Sequence, residues 1–362
     1  SGKPKFKVNY NPRLAYAKGV TNTYVKKNFV VSLTKEEKFD TFFLYTSFNK
    51  NAVVEGREIE LTDDGYFLLG YNEKIFKPTV RKVYTELERT KVYWLNWSSK
   101  TPRYKKYNSQ ISRSAITLKL LSYDKTGAVL AAATTSLPET IGEVRNWDYR
   151  FCWIRDASMV IKVIGQLGHK NVARRYLQFI VDLIPHKDEK LQIMYGINRE
   201  KKLTEKTLDH LSGYKGSKPV RVGNAAYKQK QNDIYGILMD VIYEQLHQYS
   251  NDIENGEELW GITKGIVWIV ANHWKEADKG IWEFRTEERH FTFSKVLCWV
   301  AVDRAIKVAR ILRKTRKLEK WIQLEQEIKK DIHDHAWNEE VNAFTQSYGS
   351  KDLDASVPVS YT

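Results

Sequence analysis

The hydrophobic pattern of the chain changes period once, near residue 80, and that switch limits the fold more than any other feature. Before it, apolar residues come in short β-branched and aromatic runs, at 28–33 (NFVVSL) and 41–45 (TFFLY). Residues 53–61 alternate apolar and polar, and Asp63-Asp64-Gly65 is a turn signal ahead of 66–70. Antiparallel β structure with one wet face is expected for residues 1–90. A stretch at 83–97 reads as helix or linker, and 91–108 is taken as the linker between two domains. From 109 to 362 the period is helical. Ile111, Ala115, Leu118 and Leu121 mark one face. The span 156–167 turns Met159, Val160, Val163 and Ile164 inward and stops at Gly168, and 172–184 is closed by Pro185. Helices follow over 225–249, 259–273, 292–312 and 318–337. Residues 262–270 are apolar almost all round, so that helix is expected to be buried on more than one side. Helices alternating between buried and exposed character point to a layered helical toroid rather than a simple bundle.

Composition narrows the function. With 42% hydrophobic and 28% charged residues over 362 positions, wholesale disorder is excluded and roughly two domains are expected. No apolar run nears the ~18 residues of a membrane helix, so no membrane association is expected. The opening SGKPKFKVNY has no signal-peptide form, and two cysteines exclude a disulfide scaffold or a four-cysteine zinc site. The simplest setting is cytoplasmic. The net charge is 59 − 44 = +15, which invites a nucleic-acid partner. The basic residues are spread out, however, and the cluster Arg313-Lys314-Thr315-Arg316-Lys317 reads as a solvated connection, so no nucleic acid is expected. His333 and His335 lie two apart on a helix and share no face, and no metal is expected. Nor is a cofactor, since GxGxxG, P-loop and GxSxG motifs do not occur.

Three polar-aromatic segments could carry chemistry. In 145–156 (RNWDYRFCWIRD), Asp156 stands where a helix N-cap belongs, yet it crowds with Trp153 and Arg155. A carboxylate beside a guanidinium can bracket neighbouring sugar hydroxyls, one accepting and the other donating in a fork; a structural ion pair is the competing reading. In 279–285 (KGIWEFR), Glu283 sits between Trp282 and Phe284. Partial desolvation there would raise its pKa and favour a general acid, whereas a solvated loop would not. Asn224 is a good N-cap for a helix beginning at Ala225, and Gln229, Gln231, Asn232 and Asp233 follow it.

Five motifs in order, at 145–156, 191–196 (LQIMYG), 213–226 (GYKGSKPVRVGNAA), 280–294 (GIWEFRTEERHFTFS) and 344–356 (FTQSYGSKDLDAS), make the chain resemble glycoside hydrolase family 15, in its bacterial and archaeal branch of glucoamylases and trehalases. The resemblance covers most of the chain. It implies a mainly α protein: an N-terminal antiparallel β-sandwich, here partial, then an (α/α)6 barrel with about seven of its twelve helices present. It also implies inverting hydrolysis of an α-glucoside. Carried over, Glu283 resembles the general acid and Tyr149 the tyrosine beside the water. Trp153, Arg155 and Asp156 resemble the grip on the non-reducing glucose, Trp282 flanks the acid, and Asn224 and Asp233 line the site. The family's general base is a second Glu in later helices, and inversion needs two carboxyls about 6.5–9.5 Å apart. The expectation is therefore a fragment with little turnover alone, whose partners are an α-glucoside substrate and a C-terminal chain that completes the barrel. A glucoamylase is the leading reading and α,α-trehalase the alternative. A non-catalytic sugar-binding module is the further one.

Overall fold

A computed structural model of the chain describes residues 2–34, 40–75, 78–183, 191–248, 256–316 and 318–358. They form two compact units, Ser1–Ser99 and Lys100–Thr362.

In the first unit, strand β1 (Lys5–Phe6) comes before β2 (Asn22–Val25), β3 (Val30–Leu33) and β4 (Thr41–Thr46). A short helix α1 (Lys50–Val54), strands β5 (Ile59–Glu60) and β6 (Phe67–Tyr71), and helix α2 (Val80–Ser98) complete it. The main sheet runs β2-β3-β4-β6, all antiparallel, with Val30 opposite Leu44 and Val31 opposite Phe43. Two expectations change here. Val30 and Leu44 face a cluster with Ala52, Val53 and Ile59, while Val31, Phe43 and Tyr45 face another, so neither face is wholly wet. The reason is in the strands: β3 and β4 carry consecutive apolar residues, and a period of two sends them to both faces. The alternating stretch 53–61 is not one strand. The Asn49 side chain accepts from the Ala52 N–H and starts α1, Gly56 turns the chain at φ 66°, and only Ile59–Glu60 pairs, with β1. The expected linker, 91–108, is helical as far as Ser98, because α2 begins at a Thr79 cap and nothing breaks it earlier.

In the second unit α3 (Asn108–Leu120) precedes β7 (Cys152–Trp153), α4 (Ile154–Gln166), α5 (Lys170–Leu183), β8 (Met194–Tyr195), β9 (Lys206–Thr207) and β10 (Arg221–Val222). Helices α6 (Asp233–Gln248), α7 (Gly256–His273), α8 (Thr292–Ile311) and α9 (Leu318–Ala336) follow. Helices α4, α6 and α8 pack in series; α5 backs α4, α7 backs α6 and α8, and α9 backs α8. Helix α6 approaches α8 closely: a Cβ on Gly236 would lie 2.1 Å from the Leu297 carbonyl oxygen. Among the described residues no helix is long and apolar enough to cross a membrane.

Several helix assignments need correction. Helix α4 starts at Ile154, with Trp153 at the cap position and Asp156 inside the first turn. Its buried stripe is Ile154, Ala157, Ile161 and Ile164, whereas Met159 and Val163 are 49% and 45% exposed. The expected helix 225–249 is a 3-10 turn (Ala225–Lys228) followed by α6, since Gln229 is already extended. Helix α7 is not buried all round, because Gly261, Lys264, Gly265 and Trp268 form an exposed face; α8 is the helix buried along most of its length. Pro185, Tyr249 and Lys317 lie outside the described residues.

Cys152 and Cys298 are free and buried, and burial pushes both thiols up to about 12. Neither should react with a thiol reagent at pH 8 while the protein is folded, and both should react once it is unfolded. Rapid native labelling of either thiol would contradict this packing.

Candidate active site

The site forms where β7 runs into α4. Cys152–Trp153 pairs with Met194–Tyr195 in β8, so two of the sequence motifs lie side by side, and the Ile154 N–H donates to the Ile193 carbonyl. Asp148, buried, is gripped by the Arg150 fork (Nε–Oδ1 2.9 Å, Nη2–Oδ2 2.8 Å) and accepts from the Gly223 N–H at 3.0 Å. Asn224 donates to the Asp148 carbonyl at 3.3 Å and caps its turn through the Ala226 N–H. The third motif is thus tied to the first.

The loop bearing Glu283 is fixed from below. Buried Asp278 accepts from the Asn232 N–H at 2.8 Å and the Gly280 N–H at 3.2 Å, and its backbone pairs with Arg289. Burial raises the Asp278 carboxyl above its usual range, with those N–H donors pulling the other way. Gln229 Nε2 donates to the Glu283 carbonyl at 3.2 Å. Glu283 itself sits at φ 56°, a left-handed conformation that a non-glycine residue holds only when its surroundings enforce it.

Glu283 Oε1 accepts from Trp153 Nε1 at 2.7 Å and from Arg155 Nη2 at 3.4 Å. Arg155 also donates to Gln231 Oε1 at 2.9 Å and lies 3.5 Å from Asp156 Oδ2 and 3.6 Å from Asp233 Oδ2. Burial opposes the Arg155 charge, but Asp233, Asp156 and Glu283 outweigh it and hold the guanidinium protonated more firmly than usual. Ligand sites are typically clefts of about 300–1,000 Å³; the one here measures about 920 Å³ and is lined by Tyr149, Trp153, Arg155, Asp156, Asn224, Trp282 and Glu283. Seven of the eight residues singled out from the sequence therefore converge on it. Asp233, the eighth, does not reach it: its side chain is wholly buried beside Arg155. Met159 is exposed because it borders this cleft. Tyr149 lies 5.7 Å from Trp153, ring to ring, and burial with the Glu139 and Glu283 carboxylates pushes its phenol up to about 12.

The rings expected to desolvate Glu283 are elsewhere. Trp282 is 54% exposed and donates to Asp354 Oδ2 at 2.7 Å, and Phe284 stacks on Phe291 at 5.4 Å. Trp153, 130 positions away in the chain, takes that place. Other lining residues were not singled out: Glu139, Trp147 and Arg285. Trp147 lies between the guanidiniums of Arg285 (4.1 Å) and Arg221 (4.5 Å), and Glu205 pairs with both. Burial works against the Glu205 charge, but Arg285, the Ala225 N–H and Arg221 hold its carboxyl below the usual range. The Arg two residues after Glu283 in KGIWEFR was the available signal. Among the described residues no group of three or more His, Cys, Asp or Glu could hold a metal ion.

The model for glycosyl hydrolases family 15 matches residues 105–361, and the chain belongs to that family. A protein from Thermoplasma volcanium named trehalase is 38% identical over 283 residues, 78% of this chain and 45% of that one. Trehalases from Thermoplasma acidophilum (36% over 334 residues, 92% and 57%) and Mycobacterium tuberculosis (39% over 320 residues, 85% and 46%) are similar too. The chain spans about half the length of the curated relatives it matches. A solved glycosidase shares the fold at a TM-score of 0.52 and 16% identity, over 70% of this chain and 65% of that one.

The turn below Glu283 depends on Gly280, at φ 65°, where an added Cβ would stand 2.7 Å from the Phe291 ring. Gly280→Ala should cost about 1–3 kcal/mol of stability in denaturant unfolding and displace Glu283 from Trp153. An unchanged unfolding midpoint would show that the loop is not held this way.

Proposed function

We propose that this cleft is the active site of an α-glucoside hydrolase of the trehalase type. The sequence favoured glucoamylase first, with trehalase as the alternative; the order is reversed here because the curated relatives at 36–39% identity carry the name trehalase. The observation that carries the hydrolase reading is the meeting of Trp153, Arg155 and Glu283 on one carboxylate oxygen inside a 920 Å³ cleft.

In this reading Glu283 is the general acid. Its Oε1 is committed as an acceptor of the indole and guanidinium N–H groups. A proton on the neutral acid therefore resides on Oε2 and passes from there to the departing glycosidic oxygen. Asp156 and Arg155 bracket the hydroxyls of the non-reducing glucose, with Trp153 and Trp282 as apolar surfaces for the ring and Tyr149 beside the attacking water. Asn224 closes the wall next to Tyr149. Positive charge held on Arg155 also keeps the carboxylate product of the transfer stable once the proton has gone. Inversion calls for a second carboxylate to activate water, and the (α/α)6 barrel is the frame in which the two would face each other.

Glucose release from trehalose, with little from maltose, is the expected outcome for the protein assayed together with a C-terminal part that supplies the second carboxylate; release only from maltose would restore glucoamylase as the reading. Glu283→Gln should lower kcat on trehalose by roughly 10²–10⁴-fold with KM changed far less, because the amide keeps the shape and has no proton to give. Turnover near wild type in that variant would remove Glu283 from the acid role.

A further inference from the structure

Asp233 is the residue whose place in the structure departs most from the expectation of substrate contact. It opens α6, its side chain is wholly buried, and it does not line the cleft. Its Oδ2 lies 3.6 Å from Arg155 Nη1, a long contact, and besides that side chain only its own backbone N–H favours the ionised form as a donor. A buried carboxylate with so few donors depends mainly on the opposite charge beside it. On the other side of the same guanidinium, Nη2 reaches Glu283 Oε1. Arg155 therefore stands between two carboxylates, one sealed beneath it and one open to the cleft.

We propose that Asp233 is a positioning residue that seats the Arg155 guanidinium and, through it, aims the Glu283 carboxyl at the substrate. The proposal rests on Glu283 being the proton donor, and it deepens that reading by giving Asp233 a task that substrate contact does not fulfil. The groups around Asp233 support it. Helix α4 contributes Arg155, the loop below Glu283 contributes Asp278, and α8 contributes Cys298. Arg155 supplies the opposite charge among these, while Asp278 works against the charge on Asp233. Burial pushes the Asp233 carboxyl up to about 6, with Arg155 pulling it back down. Below that pH Asp233 takes a proton, stops attracting the guanidinium, and leaves Arg155 to Asp156 and Glu283.

The Trp153 indole reports on this directly, since its N–H donates to the same Glu283 oxygen. In wild-type protein the indole ¹H–¹⁵N signal should move with pH and inflect near 6. In Asp233→Asn the inflection should vanish, the neutral-pH signal should shift, and kcat on trehalose should fall by roughly 10–10²-fold with KM little changed. The same helix provides a control. Asp240 is paired with Lys162 at 2.6 Å and Arg304 at 2.7 Å, away from Arg155, so Asp240→Asn should leave the indole signal in place. An indole signal and pH response in Asp233→Asn that match wild type overturn the proposal. If that variant does not fold, Arg155→Lys decides: it breaks the two-sided contact, and a neutral-pH indole signal and pH response that both match wild type overturn the proposal equally. Loss of the inflection in a protein that cleaves no α-glucoside even with the second carboxylate supplied would keep the Asp233 assignment and reject the proposed function instead.

Discussion

A guanidinium taken out of water must be surrounded by negative charge, and Arg155 is such a group: its side chain is only 13% exposed. It meets Asp156 from its own helix, Asp233 from the start of α6 and Glu283 from the loop before α8. These elements come from three distant stretches of chain. Their convergence is what defines the cleft, because each carboxylate is placed by the need to meet the same cation. Buried ion pairs of this kind add little net stability, since desolvation offsets most of the attraction, but they are exacting about geometry. That is the property a proton donor needs.

The supporting structure follows the same logic with other groups. Glu283 can hold a left-handed backbone because Asp278, Gly280 and Gln229 define the turn around it. Asp148 does for the Asn224 segment what Asp278 does for the Glu283 loop, taking N–H groups that would otherwise be buried without acceptors. At the rim, Trp147 between two arginines, with Glu205 pairing both, makes a second and more exposed charge cluster. An arginine prefers such a site to a lysine's, since its flat cation can stack and pair at once. The wall is therefore tied by hydrogen bonds around Glu283 and charged at its rim.

Most of the helical unit was legible from local pattern. The 3.6-residue stripes located the long helices, and the motif RFCWIRD pointed at the residues that line the cleft. The misreadings have physical causes. Val53–Val54 looked like strand because it is β-branched, but an Asn cap and a packing face made it helix. Met159 and Val163 looked inward-facing because they are apolar; Met159 is open because it borders the cleft. Trp282 and Phe284 looked like the walls around Glu283 because they adjoin it in sequence. In an extended or turning segment, adjacent side chains diverge, so neighbours in the chain are the residues least able to enclose one another.

By itself the sequence determined which residue types were available and which helices would form, since capping, periodicity and turn glycines act over a few residues. The motifs held the acid, the grip and the aromatic surfaces in recognisable order. Only the tertiary structure decided that Trp153 rather than Trp282 bonds to Glu283, that Arg155 is shared by three carboxylates, and that Asp233 lies sealed beneath the site instead of within it. Asp156 apart, those are contacts across 78–130 positions of chain. Charge pairing and desolvation depend on distance and on the exclusion of water, and neither quantity exists until the helices have packed.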